Sequence, residues 1–236
     1  MAFHHSPKIE TSGLIFLNDY DNPKGWMSGS LYWTDLITNI NSKDVYTSHS
    51  QFDSIGRPTF TGGLLPCVIY FTGSTAPGSL QNNFTVQMWW RRDGDSGKGT
   101  SGVTDSYHTT IYGIGNGQLI ITKGGTYAGW WGRISGASVY AFMTSNESNY
   151  PVGTWRFTSF VKSSEISGTV WYLDDQINTI KPDYTASLDT AAAGITFGRN
   201  DAYTPNGPIA MSMVYNRTLS YDEIKRNYNA TKHRFK

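Results

Sequence analysis

The chain has 236 residues with one cysteine, nine prolines and twenty-five glycines, and only 16% of its side chains are charged. That length can bury a full core, and a sandwich or barrel of this size is commonly one domain, whereas so few charges beside 38% hydrophobics argue against a helical bundle. Nineteen basic against eighteen acidic residues leave a net charge of +1, which removes the broad positive field of nonspecific nucleic-acid binding.

From the N-terminus, MAFHHSPKIE shows no apolar stretch behind a basic start, and no run of eighteen apolar residues follows, so neither a secretion signal nor membrane insertion is expected. His4 and His5 form an isolated surface pair without a second ligand cluster. GLIFL and CVIYF are strand candidates, and Cys67 in the second is expected to be an inert thiol. In FTVQMWWR, Phe84, Val86, Met88 and Trp90 alternate with Thr85, Gln87, Trp89 and Arg91, which places the first four on a core. Residues 91–106 are glycine-rich and polar, and are expected to form a surface loop. GQLIITK is again a strand, whereas residues 124–138, GGTYAGWWGRISGAS, are expected to form a second loop with exposed aromatics. TWRFTSFV, TVWYLD, GITFG and IAMSMVY complete the strands, with Ile209, Met211, Met213 and Tyr215 expected on one face. Ser220 and Glu223 then form a capping box, Leu219 and Ile224 a hydrophobic staple, and Tyr221, Ile224 and Tyr228 the stripe of a short docked helix. Behind them Lys225, Arg226, Lys232, Arg234 and Lys236 read either as a solvated basic tail or as a contact for an acidic partner. No repeat or linker divides the chain, so one domain over residues 1–236 is expected: an all-β, antiparallel two-sheet jelly-roll sandwich with a short C-terminal helix.

Several segments carry a resemblance. KIETSGLIFLNDYDNPKGW, with Asp19 before the Asn22–Pro23–Lys24 turn, the run WTDLITNIN with Trp33, Asp35 and Leu36, the Phe71–Thr72–Gly73 element, the strand from Phe84 to Trp90 and the closing MVYNRTLSYDEIKRNYNATKHRF are similar to laminin G-like, or concanavalin A-like, jelly-roll domains of the kind found in bacteriophage and other viral structural proteins. The pieces span nearly the whole chain. One departure lies in TVWYLDDQIN, where Asp174–Asp175 replaces a glycine-containing hairpin turn, so a longer or different turn is expected. The resemblance implies a concanavalin A-like fold and a capsid-decoration or tail-fibre role in a virion made in the host cytoplasm. It also implies multiple copies, contacts with other virion proteins and affinity for a cell-surface glycan. Such folds host many functions, so activity has to be argued from residues.

Glycosidic hydrolysis needs two carboxyls across the scissile bond. The four glutamates are Glu10, Glu147, Glu165 and Glu223; the last is taken by the capping box, and none of the others has an acidic partner two to five residues along a strand. Catalysis of that kind is not expected, and no cofactor is expected either. Calcium is the one cation alternative: Asp93 and Asp95 alternate like hard-cation ligands, but Gly97 occupies the third ligand position and Arg91, Arg92 and Lys98 are close by. Asp19, Asp21 and Asn22 read as a turn. For a sugar, whose C–H face stacks on an aromatic plate, the candidate residues are Tyr127, Trp130, Trp131 and Arg133. Consecutive tryptophans cannot both face a core, and one of them covering a sheet edge or subunit contact is an equal alternative. The functional expectation is a noncatalytic virion component. A soluble lectin is the competing reading, and a polysaccharide-degrading enzyme the third.

Overall fold

A computed structural model describes residues 8–22, 24, 33–39, 41, 83–93, 151–165, 168–178, 180 and 207–235 with their side chains, and the backbone of further strand segments. The strands are β1 (Leu14–Asp19), β2 (Lys43–Asp44), β3 (Ser50–Phe52), β4 (Pro58–Thr61), β5 (Cys67–Phe71), β6 (Phe84–Arg91), β7 (Tyr107–Ile114) and β8 (Gly117–Lys123). They continue with β9 (Ala128–Ile134), β10 (Ala137–Ala141), β11 (Trp155–Ser163), β12 (Gly168–Leu173), β13 (Gln176–Lys181), β14 (Ile195–Arg199) and β15 (Asn206–Tyr215). A helix, α1 (Tyr221–Thr231), and a 3-10 turn, Lys232–Arg234, follow. The described helix is too short to cross a membrane.

The strands form two antiparallel sheets, as expected for a sandwich. One runs β13-β12-β11-β6-β15-β4-β3, with β1 also paired to β15; the other runs β10-β9-β8-β7-β14-β5-β2. In the first sheet, the centre is buried on both faces. Phe84, Val86, Met88 and Trp90 of β6 share a face with Phe160 and Trp171, and the rings of Phe84 and Phe160 lie 5.8 Å apart. The opposite face of β6 carries Thr85, Gln87 and Trp89, and α1 covers it. The alternation in β6 and β11 is therefore as the sequence indicates, but the face away from the sandwich interior is just as dry.

The expected grouping in β15 is corrected at one residue. Met211, Met213 and Tyr215 lie under the helix, whereas Ile209 pairs opposite Trp90 on the other face. The cause is a bulge: Ala210 is an extra residue between Ile209 and Met211, and its carbonyl accepts from the Tyr20 N–H at 3.0 Å. The Asp174–Asp175 hairpin has a different turn, not a longer one, of the two alternatives expected. Its loop is no longer than two residues, and Asp174 takes the left-handed conformation at φ 57° that a glycine would otherwise supply. Its carboxylate accepts from Arg156 and from the Phe157 N–H, which holds the turn against β11.

The helix starts as predicted. Ser220 Oγ accepts from the Glu223 N–H, and the Glu223 carboxylate accepts from the Ser220 N–H at 2.8 Å. Leu219 and Ile224 are fully buried, Tyr228 stacks on Trp89 at 5.7 Å, and Tyr221 remains partly exposed beside Tyr172. Beneath the helix lies a buried polar network. Asn227 donates to Gln87 Oε1 at 2.7 Å and to the Tyr215 hydroxyl at 3.0 Å, and it accepts from the Glu10 N–H at 2.6 Å. Burial pushes the Tyr215 phenol above its ordinary range, so it stays protonated and donates to the Glu10 carbonyl. Each polar group enclosed here has a partner, which is the condition for enclosing them at all.

Candidate functional site

The segment expected to be an aromatic loop is largely sheet. Positions 128–134 form β9 and 137–141 form β10, while Tyr127 lies outside the described residues. Glycines diluted the strand signal, yet Gly132 is paired between Gly117 and Val139, where regular ladder hydrogen bonds need no side chain. Trp130 and Trp131 are therefore adjacent strand positions and belong to opposite faces.

Register across the second sheet separates those faces. The row through Trp130 runs Ala141, Trp130, Leu119, Tyr112, Phe197, Ile69 and Asp44. The next row on that face is Val139, Gly132, Gly117, Ile114, Ile195 and Phe71. Apart from Asp44, the positions in these two rows are apolar residues or glycine. The row through Trp131 is different: Tyr140, Trp131, Gln118, Gly113, Thr196, Tyr70 and Lys43. Arg133, two residues on from Trp131 and opposite Ser138, belongs to the same face. Directly opposed positions are about 5 Å apart, so Tyr140, Trp131 and Gln118 form one contiguous group. Trp131 and Tyr70 are separated by four strand spacings, about 19 Å. By residue type, the row combines aromatic positions with amide, hydroxyl and ammonium positions and a glycine, the set that an extended sugar chain uses for stacking and hydrogen bonding.

Of the sequence candidates, Trp131 and Arg133 share this face, and Trp130 does not. Gln118, Tyr140, Thr196, Tyr70 and Lys43 were missed. Their signal was the period-two alternation within GQLIITK, ASVYA and CVIYF, but only the pairing of distant strands brings them into one row.

The cation candidates are placed differently. Asp95 lies outside the described residues, and both carboxylate oxygens of Asp93 accept from Arg91, at 2.6 and 2.8 Å. A carboxylate already matched by a bidentate guanidinium is a poor start for calcium. Asp19 and Asp21 are bridged by Arg234, and Asn22 closes the expected turn through its N–H to the Asp19 carbonyl. Among the described residues, no group of three or more His, Cys, Asp or Glu could hold a metal ion. Asp35 acts structurally: buried, it accepts from the Leu17, Ile37 and Thr38 N–H groups beside buried Trp33.

The basic tail finds its acids within the chain. Arg226 pairs with Glu10 at 2.8 Å and Arg234 with Asp19 at 2.5 Å, while Lys225 and Lys232 lie over the rings of Tyr221 and Tyr228. Two of the five basic residues thus pair with acids of the same chain and two lie over aromatic rings; Lys236 lies outside the described residues. Arg217 completes the clasp by binding Glu223 at 2.7 Å and Glu10 at 3.5 Å. Its guanidinium, helped by the two bonds to Ser220, holds the Glu223 carboxyl down at about 2 against an ordinary 4.5. A group depressed on folding stabilises the fold above its unfolded value and loses that contribution as pH falls towards its folded value. Stability should accordingly drop as pH falls from about 4.5 to about 2, and Arg217→Gln should flatten that part of the profile. Urea titrations of both chains across this window check it, and parallel profiles would refute the assignment.

The sequence matches no known protein-family profile and no curated protein sequence. Its fold is shared by many solved structures. Domain 4 of AbnA, a GH43 extracellular arabinanase from Geobacillus stearothermophilus solved with arabinotriose, is similar over 93% of this chain and 100% of its own, with a TM-score of 0.62 and 16% identity. The binding domain of botulinum neurotoxin serotype D is similar over 92% of this chain and 50% of its own, with a TM-score of 0.63 and 13% identity. Trypanosoma rangeli sialidase in complex with the inhibitor DANA matches over 93% of this chain and 33% of its own, at 0.58 and 14%. The chain thus spans half or less of the last two. At these identities the likeness concerns the fold.

Proposed function

We propose that this chain is a noncatalytic carbohydrate-binding β-sandwich that uses the row through Trp131 to hold an extended glycan. The observation that carries the reading is the register row that brings Tyr140, Trp131, Gln118, Thr196 and Tyr70, from five strands, to one face of the second sheet. Support comes also from the arabinanase domain, which matches over its whole length and was solved with an arabinose oligosaccharide. The noncatalytic part of the reading is supported by the glutamates: Glu223, held as a carboxylate, and Glu10 share Arg217, an arrangement for fastening segments rather than for delivering protons. The setting supported by the resemblance to viral jelly-roll domains is attachment, as a multi-copy decoration or tail component of a virus particle.

A glycan array probed with the intact chain tests the binding. Trp131→Ala and Tyr140→Ala should weaken the hits at least about 10-fold, equivalent to about 1.4 kcal/mol, without shifting the unfolding transition. Trp130→Ala, on the opposite face of the sheet, should lower stability instead. An array without hits, or equal binding losses for Trp130→Ala and Trp131→Ala in folded proteins, would refute the site. Absence of the chain from purified particles would remove the virion setting while leaving the glycan site standing.

A further inference from the structure

The second sheet distributes its charge unevenly. Its seven strands contain Lys43, Lys123, Arg133 and Arg199 against one acid, Asp44. Register sorts these by face. Asp44 is opposite Ile69, Arg199 is opposite Cys67, and Lys123 shares the alternation of Leu119 and Ile121, so all three belong to the face of Trp130. Lys43, opposite Tyr70, and Arg133, opposite Ser138, belong to the face of Trp131. That face thus carries two permanent cations and no carboxylate among the strand residues. With a net charge of +1 for the whole chain, this is a local arrangement and not the reflection of a basic protein.

Resting on the reading above, we propose that the glycan is an acidic one, a polysaccharide bearing carboxylates, with Arg133 and Lys43 as its charge contacts. An arginine two positions along the strand from a tryptophan is of the residue type that suits a planar carboxylate, because a guanidinium offers paired donors in a fixed fork. Lys43 is a point charge at the far end of the row. The two lie on strands five spacings apart, about 24 Å, which no single sugar spans. The ligand is therefore a chain with acid groups at intervals, and its affinity should grow with length until both cations are engaged.

Polygalacturonate, polysialic acid and hyaluronan, each compared with its carboxyl-reduced form at low and high salt, provide the probes for the intact protein. The expected result is binding of at least one acid form at least about 10-fold tighter than its reduced form, with the difference shrinking as salt rises. Arg133→Gln and Lys43→Gln should lower the affinity for the acid form by more than that for the reduced form, so that the two converge, with the thermal transition unchanged; equal losses for both forms would overturn the proposal. Equal affinity for acid and reduced forms, with both lost in Trp131→Ala, would overturn the acidic specificity and preserve the glycan site. No binding to any acid, reduced or neutral glycan would overturn both. Tighter binding of a single-stranded oligonucleotide than of any acidic glycan would also overturn the proposal, since a cationic aromatic sheet face can carry bases. Dextran sulfate matching the best carboxylate polymer would overturn the carboxylate assignment in favour of general polyanion binding.

Discussion

Replacing Trp89 by alanine should destabilise the protein by about 3–5 kcal/mol, the range for removing a large buried aromatic. Trp89 is the anchor between the central strand of the first sheet and the helix above it. Its ring stacks on Phe235 at 4.6 Å and on Tyr228 at 5.7 Å, and packs against Phe157 at 5.2 Å. Its indole N–H donates to the Thr231 hydroxyl at 2.7 Å, which in turn donates to the Asn227 carbonyl at 2.8 Å. The substitution leaves a cavity and a weakened helix end together. For a chain of this size, the loss corresponds to a fall in Tm of roughly 6–20 °C. Trp89→Phe keeps most of the packing and should lose only about 1–2 kcal/mol. Denaturant titration followed by circular dichroism checks both; a loss below about 1 kcal/mol for the alanine variant would show that the helix is not held here.

The second large effect is expected at a residue with no side chain. Gly207, the second residue of β15, is at φ 136°, a conformation that L residues rarely adopt, and a Cβ added there would lie 1.9 Å from the Arg91 carbonyl oxygen. The obstacle is backbone, which cannot rotate away as a side-chain tip could. Gly207→Ala should therefore cost about 3 kcal/mol or more, combining dihedral strain with displacement of β6 from β15. Gly153→Ala is the matched control. Its φ of 79° is also left-handed, but nothing lies within 4 Å of the added carbon, so about 1 kcal/mol is expected. Similar losses at the two positions would mean that conformation alone, and not the close approach of strands, requires Gly207.

What could be read from the sequence depended on how local the cause was. Strands β6 and β11 were legible because alternation over eight or nine residues is a property of the segment itself. The capping box was legible for the same reason, since Ser220 and Glu223 need only each other and the intervening backbone. Ile209 was misplaced because its face depends on the bulge at Ala210, whose carbonyl is engaged by Tyr20, far away in sequence. The segment around Trp130 and Trp131 reads locally as a loop because glycine weakens strand preference, whereas ladder hydrogen bonding to neighbouring strands overrides it. The aromatic row had no signature within any one segment: Tyr70, Gln118, Trp131 and Tyr140 come from four strands, and only pairing aligns them.

The order of β15 and α1 in the chain has a consequence for synthesis. β15 pairs directly with β6, although more than a hundred residues separate them, and α1 is translated later still. While a ribosome is still making the middle of the polypeptide, β6 has neither this neighbour nor its roof, and Trp89 and Phe157 remain uncovered. Closure of the first layer has to wait for β15 and α1 to emerge, and during that interval the nascent strands are open to self-association.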